Sequence, residues 1–242
     1  MQRYLRLPLA CVRGLRVGRD GKEVDPHGDN FLSTYTVLGA NEWILAHNQQ
    51  RDLLGRKAKQ AGLEGVTVDK GGAIEGSGDK PDDVRLPFGS ETHGWKAAGT
   101  KEVLVDVTWV SAVCDTHVAA AARVPGGAAE EAMAGKHNRY RTTIMSHQFL
   151  QPLAMESEGY MCAEWEEMLL ALAKKWAERR QRDDKAARRM QGYWLDELAV
   201  IHARYLARCL INRAAACKVG GQVRAEVPAT LAELDVATLN VL

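Results

Sequence analysis

Long apolar runs and paired cysteines are both absent from this sequence of 242 residues. No stretch of about 18 consecutive apolar residues occurs, so the sequence predicts no membrane-spanning helix. The five cysteines are dispersed and form no Cys-x-x-Cys pair; they are Cys11, Cys114, Cys162, Cys209 and Cys217. An odd number of dispersed cysteines argues against a disulfide framework and a structural zinc cage, and it favours reduced thiols in an intracellular protein.

An excess of charge of one sign is also lacking, because the formal net charge is +1. Any strongly basic surface must therefore be a local patch that acidic residues elsewhere balance. The sequence is 46% hydrophobic and 26% charged, which is typical of a soluble globular protein. Its length suffices for one complete hydrophobic core, and we find no internal repeat.

The N-terminal segment contains arginines but no acidic residue over its first 19 positions. Mitochondrial presequences have this composition, but Pro8 interrupts any long amphipathic helix here. We therefore expect residues 1–40 to form an ordered lead-in segment, and a removable presequence is the alternative.

Alternating strands and helices are predicted for the rest of the chain. A helix should begin at the N-cap Asn41 and end at Gly62. Strands are predicted at residues 65–69, 83–88, 101–110 and 147–156, and helices at residues 115–124, 128–141, 162–189 and beyond Gly192. The first three strands are too closely linked for parallel crossovers, so we expect a mixed sheet. Pro152 indicates an edge strand or a bulge. The predicted fold is an α/β core over residues 41–182 with a helical extension over residues 183–242.

An acidic residue stands in the middle of the predicted strand KEVLVDVTWV, residues 101–110. Val105 and Val107 point to one face, and Leu104 and Asp106 to the other. Both faces are mostly apolar, which is the pattern of a central strand covered on both sides. A buried carboxylate without a partner is destabilising, so Asp106 should bind either a metal ion or a neighbouring arginine or backbone N–H group.

A second acidic site, Asp82 and Asp83 in KPDDVRLP, begins the preceding strand. Adjacent strands lie about 4.8 Å apart, so one of these aspartates and Asp106 could share an ion at the strand ends. Carboxylate and water oxygens are the ligands that Mg²⁺ and Mn²⁺ prefer. Such an ion can activate water and stabilise a phosphodiester under attack, so the pair indicates phosphodiester chemistry.

Four sequence blocks occur in the order KPDDVRLP, VLVDVTWVSAV, PGGAAEEAMAGKHNRY and FLQPLAMESEGY. In this order they resemble the endonuclease-like region downstream of reverse transcriptase in non-LTR retrotransposons. The resemblance runs from about residue 4 to about residue 182, or about three quarters of the chain. It implies a PD-(D/E)XK, restriction-endonuclease-like fold that cleaves nucleic acid with Mg²⁺ or Mn²⁺ as cofactor.

The metal-binding acids follow from this resemblance. Asp83 matches the aspartate of an Arg-Pro-x-Asp block, with Asp82 as the alternative, and Asp106 matches the second acid. The resemblance therefore implies that Asp83 and Asp106 hold the ion. The block AHNQQRD, which contains His47, resembles a His-Asn/Asp block in the helix before the core.

Three further site residues are implied by the later blocks. Lys136 and Tyr140 match a lysine and a tyrosine on the helix after the third strand, and Glu156 matches an acid that ends the fourth strand. The D-x-K lysine of such folds stands two residues after the acid, where this chain has Thr108. Lys136 would therefore have to neutralise the phosphate from the helix. The ordinary alternatives are a solvated lysine, a core-edge tyrosine and a strand-end acid.

The zinc knuckle of this family would lie just before the His-Asn block and is degenerate here. In HGDNFLSTYT, Asn30 and Ser33 stand where a histidine and a cysteine are expected. Cys11 and His27 are too few for a four-ligand site, so no zinc is expected.

A basic segment, KKWAERRQRDDKAARR at residues 174–189, has eight basic and three acidic residues and hence a net charge of +5. One interpretation is a solvated helix face with i,i+4 ion pairs, and the other is a phosphate-backbone contact. For the second interpretation the candidate residues are Lys174, Lys175, Arg179, Arg180, Arg188 and Arg189. Trp165 and Trp176 lie on an apolar stripe and should belong to the core.

Two functions remain open from the sequence. The first is a metal-dependent endonuclease domain of retrotransposon origin, which would act in the nucleus. The second is a domesticated, non-catalytic descendant that serves as a structural or nucleic-acid-binding subunit of a larger ribonucleoprotein assembly. Both take DNA or RNA as partner and neither involves a membrane, and the arginine-rich start leaves the mitochondrion as an alternative compartment.

Overall fold

The computed structural model describes residues 16–17, 22–23, 40–68, 82–87, 101–114 and 116–218. The chain divides into two units, one formed by Met1–Glu42 with Leu206–Leu242 and the other by Trp43–Tyr205. In the first unit, strands β1 (Arg16–Val17) and β2 (Lys22–Glu23) pair as an antiparallel ribbon. The candidate site lies in the second unit. Cys11 and His27, the remnant of the predicted zinc knuckle, lie outside the described residues.

A four-stranded mixed sheet forms the centre of the second unit. Helix α1 spans Ala40–Gln60, and the strands are β3 (Thr67–Val68), β4 (Val84–Leu86), β5 (Glu102–Val110) and β6 (Gln148–Glu156). Their order is β3-β4-β5-β6, in which β3, β4 and β5 are successively antiparallel and β6 is parallel to β5. The predicted mixed α/β fold is therefore confirmed. Pro152 lies on β6, which is an edge strand of this sheet, as predicted.

Four helices complete the described part of the chain. They are α2 (Val118–Ala121), α3 (Gly127–Tyr140), α4 (Ala163–Arg179) and α5 (Asp184–Lys218). The first, predicted over residues 115–124, is much shorter than expected. It ends at Ala121, and the left-handed Gly126 (φ 82°) is the N-cap of α3. The two helices pack so closely that a Cβ on Gly127 would lie 2.3 Å from the Ala120 carbonyl oxygen. None of the helices described here is long and apolar enough to cross a membrane.

Both faces of strand β5 are covered, as its sequence predicts. On one face, Trp109 donates a hydrogen bond from Nε1 to Gln50 of α1 and stacks on His202 of α5, with ring centroids 5.6 Å apart. On the other face, Leu104 forms a buried cluster with Tyr140 of α3 and Leu150 of β6. Helices α1 and α5 therefore cover one side of the sheet, and α3 covers the other.

The long helix predicted over residues 162–189 is wrong, because the chain breaks between α4 and α5. Gln181 adopts a left-handed conformation (φ 53°), and the Asp183 carboxylate accepts a hydrogen bond of 2.9 Å from the Ala186 N–H group. An aspartate N-cap thus starts α5. Gly192, predicted to separate two helices, lies inside α5, where a glycine costs only about 1 kcal/mol relative to alanine.

A buried ion pair links α1 to α5 within the second unit. Lys57 is 7% exposed, forms an ion pair with Glu197 and lies with Nζ 5.7 Å from the centroid of the Trp194 ring. Removing the carboxylate would leave the buried ammonium group with the Trp194 ring as its neighbour among the described residues. We expect Glu197→Ala to lower the free energy of unfolding by about 1–3 kcal/mol, since the Glu197 side chain is itself partly exposed.

Urea denaturation monitored by circular dichroism tests this expectation. Asp196→Ala is the matched control, because Asp196 is exposed on the same helix and its loss should change stability by less than about 0.5 kcal/mol. Equal stability of the two variants would show that the ion pair contributes nothing.

Candidate functional site

Asp106 lies in the middle of β5, directly opposite Pro152 of β6, as the predicted strand 101–110 places it. The strand-end position expected for an ion shared with Asp106 is therefore wrong. The residue is 4% exposed. Because side chains alternate along a strand, its carboxylate points to the face that α3 covers, away from Val105 and Val107. The sequence argument that this carboxylate is buried is confirmed.

Lys136 of α3 is the partner of Asp106. Its Nζ donates a hydrogen bond of 3.1 Å to Oδ1 and lies 2.8 Å from Oδ2, off the line of a hydrogen bond. Oδ2 is fully buried and accepts no hydrogen bond within the described structure. The Thr108 hydroxyl is a distant donor, 3.5 Å from Oδ1. Asp106 therefore has one strong partner, Lys136, whose ammonium group lies close to both carboxylate oxygens.

Burial raises the pKa of Asp106 to about 6 from an ordinary value of 3.8, even though the charge and the hydrogen bond of Lys136 oppose this shift. The negative charge of Asp83 adds to the upward shift, and the positive charge of His47 lowers it. These four side chains thus act on one another electrostatically. A carboxyl group whose pKa is raised towards neutral pH in this way is characteristic of functional sites.

Asp83 lies where β4 begins. Its Oδ2 accepts two hydrogen bonds, one of 2.7 Å from the Val107 N–H group of β5 and one of 3.0 Å involving His47 Nε2. Extending the Val84–Val105 register by one residue places Asp83 level with Asp106. The cluster is therefore built on neighbouring strands, as the sequence predicted.

His47 reaches this cluster from the opposite side of the sheet to Lys136. It lies one turn before Gln50 on α1, which contacts the Trp109 face, whereas Lys136 belongs to the helix on the Leu104 face. Burial acts to lower the pKa of His47, but the hydrogen bond and charge of Asp83 outweigh it, so the pKa is raised. His47 is the site residue that the sequence analysis left out of its assignment, although the AHNQQRD block pointed to it.

Asp82 faces a different partner. Its Oδ2 accepts a hydrogen bond of 3.1 Å from Arg85 Nε, and Arg85 also lies 3.6 Å from Glu102. Asp82 therefore belongs to a local ion-pair network on the strand pair. Of the two aspartates, Asp83 is the one that the structure places beside Asp106.

Tyr140 and Glu156 lie beside the cluster and not within it. Tyr140 is a buried member of the Leu104 cluster, and its ring centroid is 5.8 Å from Lys136 Nζ. Glu156 accepts hydrogen bonds of 2.9 and 3.2 Å from the backbone N–H groups of Ala128 and Ala129 at the start of α3. It is four strand positions from the level of Asp106, or about 13 Å, so it anchors the helix that carries Lys136.

The basic residues of 174–189 do not share one helix face. Lys174, Lys175 and Arg179 belong to α4, Arg180 follows its end, and Arg188 and Arg189 belong to α5. Trp165 is fully buried as predicted. Trp176, also predicted to be core, is only half-buried and lines a groove at the helix junction.

The carboxylates fit a Mg²⁺ site with few protein ligands. No group of three or more His, Cys, Asp or Glu side chains arranged to hold a metal occurs among the described residues. Mg²⁺, however, usually keeps several waters and takes one or two carboxylates together with substrate phosphates. The buried Oδ2 of Asp106 and the free lone pairs of Asp83 are oxygen donors of the appropriate kind.

Comparisons of the chain with protein-family models, with curated proteins and with solved structures give no significant match.

The raised pKa of Asp106 predicts a pH-dependent stability. The folded protein holds this proton more tightly than the unfolded chain, so the stabilisation is complete below pH 3.8 and is lost as the pH rises through about 6. At pH 7.5 the buried charge opposes folding. Asp106→Asn cannot ionise, so we expect it to be about 1–3 kcal/mol more stable than the native protein at pH 7.5.

Urea denaturation at pH 4 and at pH 7.5 measures this difference, which should shrink towards zero at the lower pH. Asp196→Asn, an exposed change, should show no such dependence. A variant that is less stable than the native protein at pH 7.5 would mean that the Lys136 ion pair outweighs the burial of Asp106.

Proposed function

We propose that this chain is a restriction-endonuclease-like domain of retrotransposon origin that cleaves nucleic acid with Mg²⁺ or Mn²⁺. The observation that supports the proposal is the clustering of Asp83, Asp106 and Lys136, in which Asp106 is buried and the other two side chains are partly exposed. Three distant sequence blocks supply these residues. Two carboxylates and an ammonium group are the side-chain types that metal-dependent cleavage of a phosphodiester uses.

The arrangement of elements also supports the proposed fold. A helix, three antiparallel strands, two helices and a parallel fourth strand follow one another, in the order that the local sequence patterns predicted. The two carboxylates lie on the central strand pair, β4 and β5, where the backbone is held on both sides. Ligands on such strands are positioned more rigidly than ligands on loops.

In this proposal Asp83 and Asp106 hold the ion, which when bound supplies a polarised water and charge stabilisation at the phosphorus. Lys136 offers its ammonium group to the scissile phosphate, and to do so it must move away from Asp106 Oδ2. His47 holds the Asp83 carboxylate through Oδ2, so in this proposal Oδ1 is the oxygen offered to the ion. His47 is thus a positioning residue, and Glu156 acts only by anchoring α3.

A second candidate is a non-catalytic nucleic-acid-binding or structural subunit of a ribonucleoprotein assembly. One specific observation favours it: Lys136 already lies 2.8 Å from the oxygen that an ion would need. Thr108 stands where the strand lysine of the D-x-K arrangement is expected. In this candidate Lys136 replaces the ion as a fixed positive charge, and the site is a vestige.

A cleavage assay with Mg²⁺ or Mn²⁺ on plasmid DNA, single-stranded DNA and RNA tests the first candidate. We expect Asp106→Asn and Asp83→Asn each to reduce the rate at least about 100-fold, since losing an ion ligand removes several kcal/mol of stabilisation. Asp82→Asn is the matched control, because its partner is Arg85, and it should keep the native rate within about threefold.

The cleavage and binding activities of the native protein distinguish the two candidate functions. Metal-dependent cleavage that is lost in both site variants and kept in the control supports the nuclease. Binding of nucleic acid without cleavage under any metal, unchanged in Asp106→Asn, supports the second candidate. Cleavage that survives in both site variants would exclude the chemistry proposed for this cluster.

A further inference from the structure

A groove lies at the junction of α4 and α5, on elements that the proposed catalytic cluster does not use. Its volume is about 700 Å³, and its walls include Trp176, Arg182, Arg189, Met190 and Tyr193. The break at Gln181 creates it, because the two helices separate there by a short turn instead of continuing as one. The groove therefore presents arginines and aromatic rings together.

The groove is lined by part of a basic segment, and its own wall carries Arg182 and Arg189 against Asp183. Residues 174–189 carry a net charge of +5, while the whole chain carries +1. The acidic residue on the groove wall, Asp183, already accepts the hydrogen bond that caps α5. Arg182 and Arg189 are both exposed. Such a local excess of positive charge attracts a polyanion.

The aromatic side chains of the groove give it a second chemical character. Tyr193 is 66% exposed, which leaves its ring open to a flat ligand. The Trp176 ring is covered by Arg180, with Cζ 4.9 Å from the ring centroid, so arginine already stacks on an aromatic face here. Exposed aromatic rings beside arginines are the combination that binds unpaired bases and their backbone.

We propose that this groove binds single-stranded nucleic acid, with phosphates at Arg182 and Arg189 and a base stacked on Tyr193. A duplex offers phosphates but keeps its bases stacked on one another, so the aromatic wall favours an unpaired strand. The inference shares only the nucleic-acid partner with the proposed function. Binding at the groove requires neither Asp106 nor a metal ion.

Fluorescence anisotropy with labelled oligo-dT and oligo-U, and with a duplex of equal length, tests the groove at several salt concentrations. The measurements use the full chain carrying Asp106→Asn, so that cleavage cannot interfere and failure of the nuclease proposal leaves the result interpretable. We expect tighter binding of the single strands than of the duplex. A synthetic polyglutamate serves as a competitor to detect a mere preference for acidic polymers.

Two groove variants separate charge from stacking. The double change Arg182→Gln/Arg189→Gln should reduce the slope of log Kd against log salt concentration by about 1.4, since each phosphate contact to a single strand contributes about 0.7. Tyr193→Ala should weaken binding between about 5-fold and 100-fold and leave the slope unchanged, because stacking does not release counterions.

The control variant, Arg56→Gln/Arg123→Gln, removes two positive charges at exposed positions outside the groove. It should keep the native slope and affinity, and thermal melts should show all variants folded. An equal loss of affinity and salt dependence in the control and in the arginine variant of the groove would overturn the proposal. Equal affinity for the duplex, full competition by polyglutamate, or an unchanged affinity in Tyr193→Ala would also overturn it.

Discussion

The buried contact between the Asp106 carboxylate and the Lys136 ammonium group determines how the helix on that side of the sheet must sit. A carboxylate in the middle of a covered strand needs a positive charge close by, and α3 can supply it only if the helix is held in register with β5. Glu156 accepts the first N–H groups of α3, and Tyr140 is buried at its other end. The helix is thus fixed at both ends around the lysine.

The other half of the cluster depends on where β4 begins. The Asp83 side chain accepts a hydrogen bond from the Val107 N–H group of β5. This contact brings a second carboxylate to the level of Asp106 and ties it to the sheet backbone. His47, from the opposite layer, then fixes the same oxygen. The Asp83 carboxylate is therefore held by a main-chain N–H group and by His47, and a solvated surface carboxylate lacks such contacts.

Much of this arrangement is local enough to be predicted from the sequence. The alternation around Asp106 predicts its burial, and the Pro-Gly-Gly break before residue 128 predicts the helix that carries Lys136. The His47–Asp83 contact joins residues 36 apart, and Glu156 caps a helix 28 residues earlier, so neither role follows from a local pattern. The apolar stripe gives no sign of where α4 ends. Asp183 acts as an N-cap that starts α5, whereas Gly192 does not end a helix.

The presence of a charged pair at this core position bears on the function of the protein. A buried ion pair is often no more stable than a well-packed apolar pair of similar volume, so stability alone gives little reason for Asp106 and Lys136 to occupy this core position. A carboxyl group whose pKa is raised to about 6 destabilises the fold at neutral pH, and such residues are characteristic of sites that use their charge. The two candidate functions then differ by one movement of Lys136, which either stays on Asp106 as a permanent counter-ion or shifts towards a phosphate when an ion takes its place.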